Sequence, residues 1–280
     1  MRANRILIAV VIAAIGGLYY FCNQQVNPVT GEKQRVALTP DQEVALGLQA
    51  APQVAEEFGG LHPDSSIQSS IEEIGEGIVA RSAARGSGYQ YDFHVLRDAE
   101  TVNAFALPGG QVFITAALLQ RLQDEAQLAG VLGHEIGHVV GRHSAEQLAK
   151  AQLTQVLVGA AGVAASSDDS DGRQAAALAA VVGQLVNMRF GRKDELEADR
   201  FGVHFMSETG YDPRALIEVM RILAESSGGS PRPEFLSTHP DPGNRAGEIE
   251  SEITRLYPNG VPTQLARGDP NRFSAIKARL

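Results

Sequence analysis

The sequence predicts an α+β fold, mainly α-helical, with a small antiparallel β-meander lying beside one central helix. Three observations carry that expectation. Apolar residues recur at helical spacing over most of the chain, and strand-like alternation is confined to residues 89–119. Alanine and glycine are abundant while tryptophan is absent, a composition suited to helices packed closely through small side chains.

The N-terminus, "MRANRILIAVVIAAIGGLYYFCNQQ", places Arg2 and Arg5 ahead of an uncharged, mostly apolar run from Ile6 to Cys22. Residues 1–25 are therefore expected to be a signal peptide or an N-terminal membrane anchor. The two arginines favour a cytoplasmic N-terminus, with the remainder exported. Cys22, the single cysteine, excludes an internal disulfide. It stands where a lipid-modified cysteine would, although the preceding Phe21 is not the small residue such signals use.

Residues 26–40 are polar and turn-rich, and read as a tether. Residues 41–280 form the folded domain. Thr39 or Asp41 can cap a first helix with Val44, Leu48 and Ala51 on one face. Ile67, Ile71, Ile74 and Ile78 make the core stripe of a second, from about Asp64 to Ala84. "YQYDFHVL", "TVNAFALPGG" and "QVFITAALL" then supply the strands, with Pro-Gly-Gly as a turn. His94, alone in the first strand, reads as structural.

Asp124 can cap a long helix running from Glu125 to about Ala165, followed by the polar loop "SSDDSDG". Further helices are expected from Arg173 to Met188, from Lys193 to Thr209, and after the Asp212-Pro213 start. "SGGSPRPEFLSTHPDPGNRAGEIE" reads as an irregular loop and then a helix. The Ala-rich runs Leu153–Ala165 and Ala175–Val186 are too short to span a bilayer, which needs roughly 20 residues, and read as core helices.

With 33 acidic against 24 basic residues and a net charge of −9, the chain has no basic footprint for nucleic acid. Nothing in it sets an oligomeric state.

The chemistry concentrates in "GVLGHEIGHVVGRHS", which holds three of the 7 histidines. His134 and His138, four apart on a helix, project from one face and can share a metal ion. Glu135 is adjacent and rotated, beside the place a water would take. This is the HExxH pattern of zinc hydrolases, implying one Zn2+ per chain with a third protein ligand still to be found. His143, nine positions after His134, is half a revolution round a continuous helix and points elsewhere. His204 and His62 lack a partner at ligand spacing. "GRKDELEADRFG" is the better source, since Glu195 and Asp199 share a helix face beside the small Ala198 and Gly202. Gly133, Gly137 and Gly141 line a strip next to the histidines. Each costs up to about 1 kcal/mol of helix propensity, which is tolerable if the strip gives a second helix clearance to deliver its carboxylate.

"HEIGHVVGRH" followed by "ELEAD" resembles the gluzincin metallopeptidases that include the CAAX prenyl endopeptidases, a zincin-like fold. "NAFALPGGQVFITAALL" and "STHPDPGNR" resemble further blocks of that family, so the likeness covers roughly residues 39–250. The resemblance implies His134, His138 and Glu195 as zinc ligands, Glu135 as general base and acid, and Asp199 as the group orienting a ligand histidine. It implies that Asn103 and Ala104 lie on an edge strand that pairs with extended substrate. His239 and Arg245 match a late His and Arg near the metal, His239 serving either as oxyanion stabiliser or as an occupant of the open zinc position.

With at most one membrane segment, the chain is more similar to the exported bacterial branch than to the multi-span members. It is expected to lack the C-terminal helical-repeat domain found in that branch. The resemblance therefore implies a periplasmic zinc endopeptidase, attached to the membrane through its N-terminus and acting on unfolded or misassembled envelope proteins. The competing expectation is a latent chaperone or binding module on the same fold.

Overall fold

The computed structural model describes residues 2–165, 181, 183–185, 187–225, 234–239 and 244–280. Its described helices are α1 (Arg2–Cys22), α2 (Pro40–Glu57), α3 (Ser65–Arg81), α4 (Ala116–Arg121), α5 (Glu125–Val140), α6 (His143–Ala165), α7 (Arg192–Thr209), α8 (Arg214–Glu225), α9 (Glu234–Thr238), α10 (Arg245–Leu256) and α11 (Pro270–Lys277). The strands are β1 (Gln25–Val26), β2 (Lys33–Gln34), β3 (Asp92–Leu96), β4 (Ala104–Ala106) and β5 (Gln111–Thr115). The α+β class and its helical bias are as the sequence predicts.

Local chemistry explains the boundaries. Thr39 and Gln42 close a reciprocal capping box on α2, with Pro40 opening the first turn. Asp64 caps α3 through the Ser66 amide, and Asp124 caps α5 through the Gln127 amide. The isoleucine stripe of α3 is buried as expected, packed into the main core with the inner faces of β3 and β5 and with α5, α7 and α8. α5 is buried along its whole length, all round. It is the axis on which the site is built.

The sheet is not the expected antiparallel meander. Its order is β3-β5-β4, with β3 parallel to β5 (Asp92 opposite Gln111) and β4 antiparallel to β5 (Ala104 opposite Ile114). The Pro-Gly-Gly turn does join β4 and β5, with Gly109 and Gly110 at φ 83° and 113°, conformations suited to glycine. The preceding loop, however, carries the chain past β5 to its far side. Alternation identifies strands and says nothing of their order.

Two further expectations change. Residues 26–40 are docked on the fold: β1 and β2 form a two-stranded hairpin, and Asn27 and Val36 are buried. The long helix after Asp124 is broken at Gly141 and Arg142, the latter at φ 55°, and restarts as α6. α6 packs on α1; Leu148 near its start joins the core, whereas Val156 and Leu157, in the first Ala-rich run, are exposed. The loop at 166–172, the helix expected from Arg173 and most of the second Ala-rich run lie outside the described residues. Among the described residues no helix is long and apolar enough to cross a membrane.

Candidate metal centre

The central helix α5 puts His134 and His138 one turn apart, and their Nε2 atoms converge to 3.1 Å. Helix α7 crosses it closely enough to deliver Glu195, whose carboxylate oxygens lie 3.7 Å from each of those nitrogens. Glycine makes that crossing possible in part as expected. A Cβ on Gly137 would meet the Ala198 carbonyl oxygen at 2.9 Å, whereas Gly133 faces Gly202 at an ordinary 3.4 Å. Gly141 clears something else: a Cβ there would lie 2.4 Å from Nε2 of His143.

His239 follows α9 and completes the cluster. Its Nδ1 is 3.1 Å from Glu195 Oε1 and 3.4 Å from His134 Nε2. One ligand atom from each of His134, His138, Glu195 and His239 falls within 4.8 Å of the others, and all four residues are buried. Backbone bonds bracket this segment: Phe235 donates to the Val102 carbonyl at 3.1 Å, and Phe190 to the Thr238 carbonyl at 3.2 Å. The His239 ring also stacks on Phe235, at 4.5 Å between centroids.

Asp199, one turn after Glu195, places Oδ1 2.9 Å from His134 Nδ1. Arg245, at the start of α10 and 1% exposed, grips Asp199 with Nε at 2.8 Å and Nη2 at 2.7 Å, a two-point match to the carboxylate. Its Nη1 lies 2.9 Å from Glu195. The carboxylate fixes the proton of His134 on Nδ1 and leaves Nε2 facing the cluster.

The electrostatics separate the two glutamates. Burial pushes the Glu135 carboxyl above its ordinary value, and the neighbouring histidine charges offset this only in part. Burial also opposes charge on Glu195, but His239, Arg245 and His134 outweigh it and hold Glu195 low. Asp199 is likewise held far down by Arg245 against its burial. Burial pushes His138 well below its usual value, so its imidazole is neutral with a lone pair to offer. His239 moves upward, because Glu195 and Glu135 outweigh its burial.

The residues fit a divalent metal. Three imidazole nitrogens and a low-lying carboxylate face one point, and both oxygens of Glu135 and Nε2 of His239 are buried without a hydrogen-bond partner. Such groups are costly unless something satisfies them.

The edge-strand residues lie outside this cluster. Ala104 pairs with Ile114, and the Asn103 backbone bonds to Thr115, while both amide atoms of the buried Asn103 side chain lack a partner. His94 packs against Phe113, ring centroids 4.8 Å apart and tilted, and meets Gln111 at 2.9 Å, a structural role.

Sequence reasoning missed three residues. His143 turns back under the site, with Nδ1 2.9 Å from His138 Nδ1. Phe190 stacks on the His138 ring at 4.1 Å. His204 is not without a partner, since its Nε2 is 2.7 Å from Glu252. The Gly-Arg pair before His143 was the only signal of a helix break in the first case. The second carried none.

A family model described as Peptidase family M48 matches residues 65–253, a span holding the whole cluster. The chain is 33% identical over 245 residues to the mitochondrial metalloendopeptidase OMA1 of Schizosaccharomyces pombe, covering 85% of this chain and 69% of that one. It is 30% identical over 242 residues to the beta-barrel assembly-enhancing protease of Yersinia pestis, with 84% and 49% covered. It is also 30% identical over 287 residues to the mitochondrial metalloendopeptidase OMA1 of Bos taurus, with 93% and 52% covered. The chain thus spans about half the length of the latter two relatives. With its HExxH helix, its buried His and Glu cluster and these matches, the chain belongs to peptidase family M48.

Proposed function

We propose that the chain is a zinc-dependent endopeptidase that cuts unfolded or misassembled proteins of the cell envelope. The observation that supports it best is the pairing of a buried His134–His138–Glu195 set with a Glu135 carboxylate that has no hydrogen bond of its own. His134, His138 and Glu195 would hold the metal, with Asp199 and Arg245 keeping the His134 ring oriented. When bound, zinc supplies a Lewis acid that acidifies water and polarises the scissile carbonyl.

Glu135 does the proton work. Its raised proton affinity suits it to take a proton from the attacking water and pass it to the leaving amine. Asn103 and Ala104 would present backbone to an extended substrate, a mode that gives little side-chain selectivity.

His239 lies in the ligand cluster and directly follows a segment, Phe235 to Thr238, tied by backbone bonds to Val102 and Phe190, which favours a resting state in which it occupies the place a substrate carbonyl would need. The prenyl-endopeptidase likeness, export to a periplasm and attachment through α1 belong to the same reading. Attachment is supported by Ile6, Leu7, Val10, Ile15, Leu18 and Phe21, all left exposed on α1.

Casein degradation by the zinc-loaded full chain tests the proposal. The Glu135→Gln form should be inactive, and His239→Ala should cut faster than the parent. If parent and His239→Ala both match the Glu135→Gln background while binding zinc, the chain is a binding module.

A further inference from the structure

We infer that His143 is a positioning residue for His138, held in the required tautomer by Glu197. This inference rests on reading His138 as a metal ligand. The two imidazoles meet Nδ1 to Nδ1 at 2.9 Å, so one of those nitrogens carries the proton and the other accepts it. Nε2 of His138 faces the cluster, 3.1 Å from His134 Nε2 and 3.7 Å from Glu195. For that lone pair to reach a cation, the His138 proton must sit on Nδ1 and be donated to His143. His143 must then be bare at Nδ1 and protonated at Nε2.

The surroundings fit that arrangement. Nε2 of His143 is buried without a hydrogen bond, and Glu197 Oε2 stands 3.6 Å from it. A carboxylate there favours the N–H on that side of the ring. His134 has the same kind of support from Asp199 and Arg245, so each histidine facing the cluster from α5 would have its own backing group.

The fold goes to some length to bring His143 round. Arg142 adopts φ 55°, a conformation uncommon outside glycine. Its guanidinium is tied to Glu43 at 2.9 Å, Gln25 at 2.9 Å and the Leu38 carbonyl at 2.9 Å. Gly141 leaves room for the ring, since any Cβ there would collide with it.

The test is zinc affinity of the full chain, measured by competition with a chromophoric chelator, alongside the melting temperature of the metal-free form. His143→Leu removes the acceptor and should weaken zinc binding by about 10- to 100-fold. His143→Asn places an oxygen near the former Nδ1 and should recover affinity to within about threefold of the parent, a rescue built on the same hydrogen-bond geometry. A purely packing role would lower the melting temperature of both variants and leave zinc affinity alone.

Should the leucine variant fail to fold, Gly141→Ala and Glu197→Gln carry the test, since each disturbs the ring or its backing from outside. Both should bind zinc more weakly than the parent. Parent-like affinity in His143→Leu, or in both substitutes, overturns the inference, as does an asparagine variant as weak as the leucine one. A parent that binds no zinc overturns the metal reading itself, and this inference with it.

Discussion

Gly137 shows how tight the site is at the level of single residues. Alanine should gain up to about 1 kcal/mol in helix propensity, yet its methyl would press on the Ala198 backbone of α7. Overpacking of this kind costs about 1–3 kcal/mol, so Gly137→Ala should be less stable than the parent in urea denaturation despite the better helix former. Gly133→Ala, facing an ordinary contact, should lose less. An equal loss at both positions would count against the clearance argument. The HExxH pair was legible because an i, i+4 spacing means one face on any helix. His143 was not, because its direction depends on a break fixed by Glu43, 99 positions away in sequence. Spacing rules assume the helix continues.

At the level of elements, α5 is gripped at both ends. At its C-terminal end Asn27 donates to the Val140 carbonyl at 2.6 Å and Gln34 to the Gly141 carbonyl at 2.5 Å, satisfying acceptors a helix end leaves open. Arg142 and Glu43 lie beside them as a buried ion pair, each 2% exposed. Removing one partner of such a pair leaves a stranded charge and costs about 3–5 kcal/mol. Glu43→Ala should therefore lower unfolding free energy by several kcal/mol, and a loss below about 1 kcal/mol, the scale of a solvated surface pair, would mean that water reaches Arg142. At its N-terminal end Glu125, buried, accepts from Tyr211 at 2.6 Å and from Arg272 at 2.8 Å. Helix existence could be read directly, as could the caps at Thr39, one of two candidates, and at Asp124, since these are local signals. Strand order and the docking of residues 26–40 could not, because both are decided by partners far along the chain.

The molecule as a whole should respond to metal and to acid in separable ways. Zinc binding to the folded state alone would stabilise it by mass action, so chelation should lower the melting temperature, and by less in His134→Ala. Elsewhere, Arg255, more than offsetting the effect of burial and joined by His204, holds Glu252 at about 2 against an ordinary 4.5. A carboxyl depressed on folding contributes stability that is complete above the unfolded value and is lost as pH falls toward the folded one. Stability should thus decline between about pH 4.5 and about pH 2, and Glu252→Gln should flatten that part of the curve in urea titrations. An unchanged slope would remove Glu252 from the acid response.

The double grip on α5 also has a consequence in time. Its C-terminal clasp comes from residues already synthesised, but Arg272 lies 147 positions beyond Glu125. During translation the helix bearing HExxH emerges long before the clasp at its other end, and before the segment carrying His239. Contacts of such sequence separation form late, so a nascent chain would hold its cutting apparatus loosely assembled until synthesis had passed Arg272.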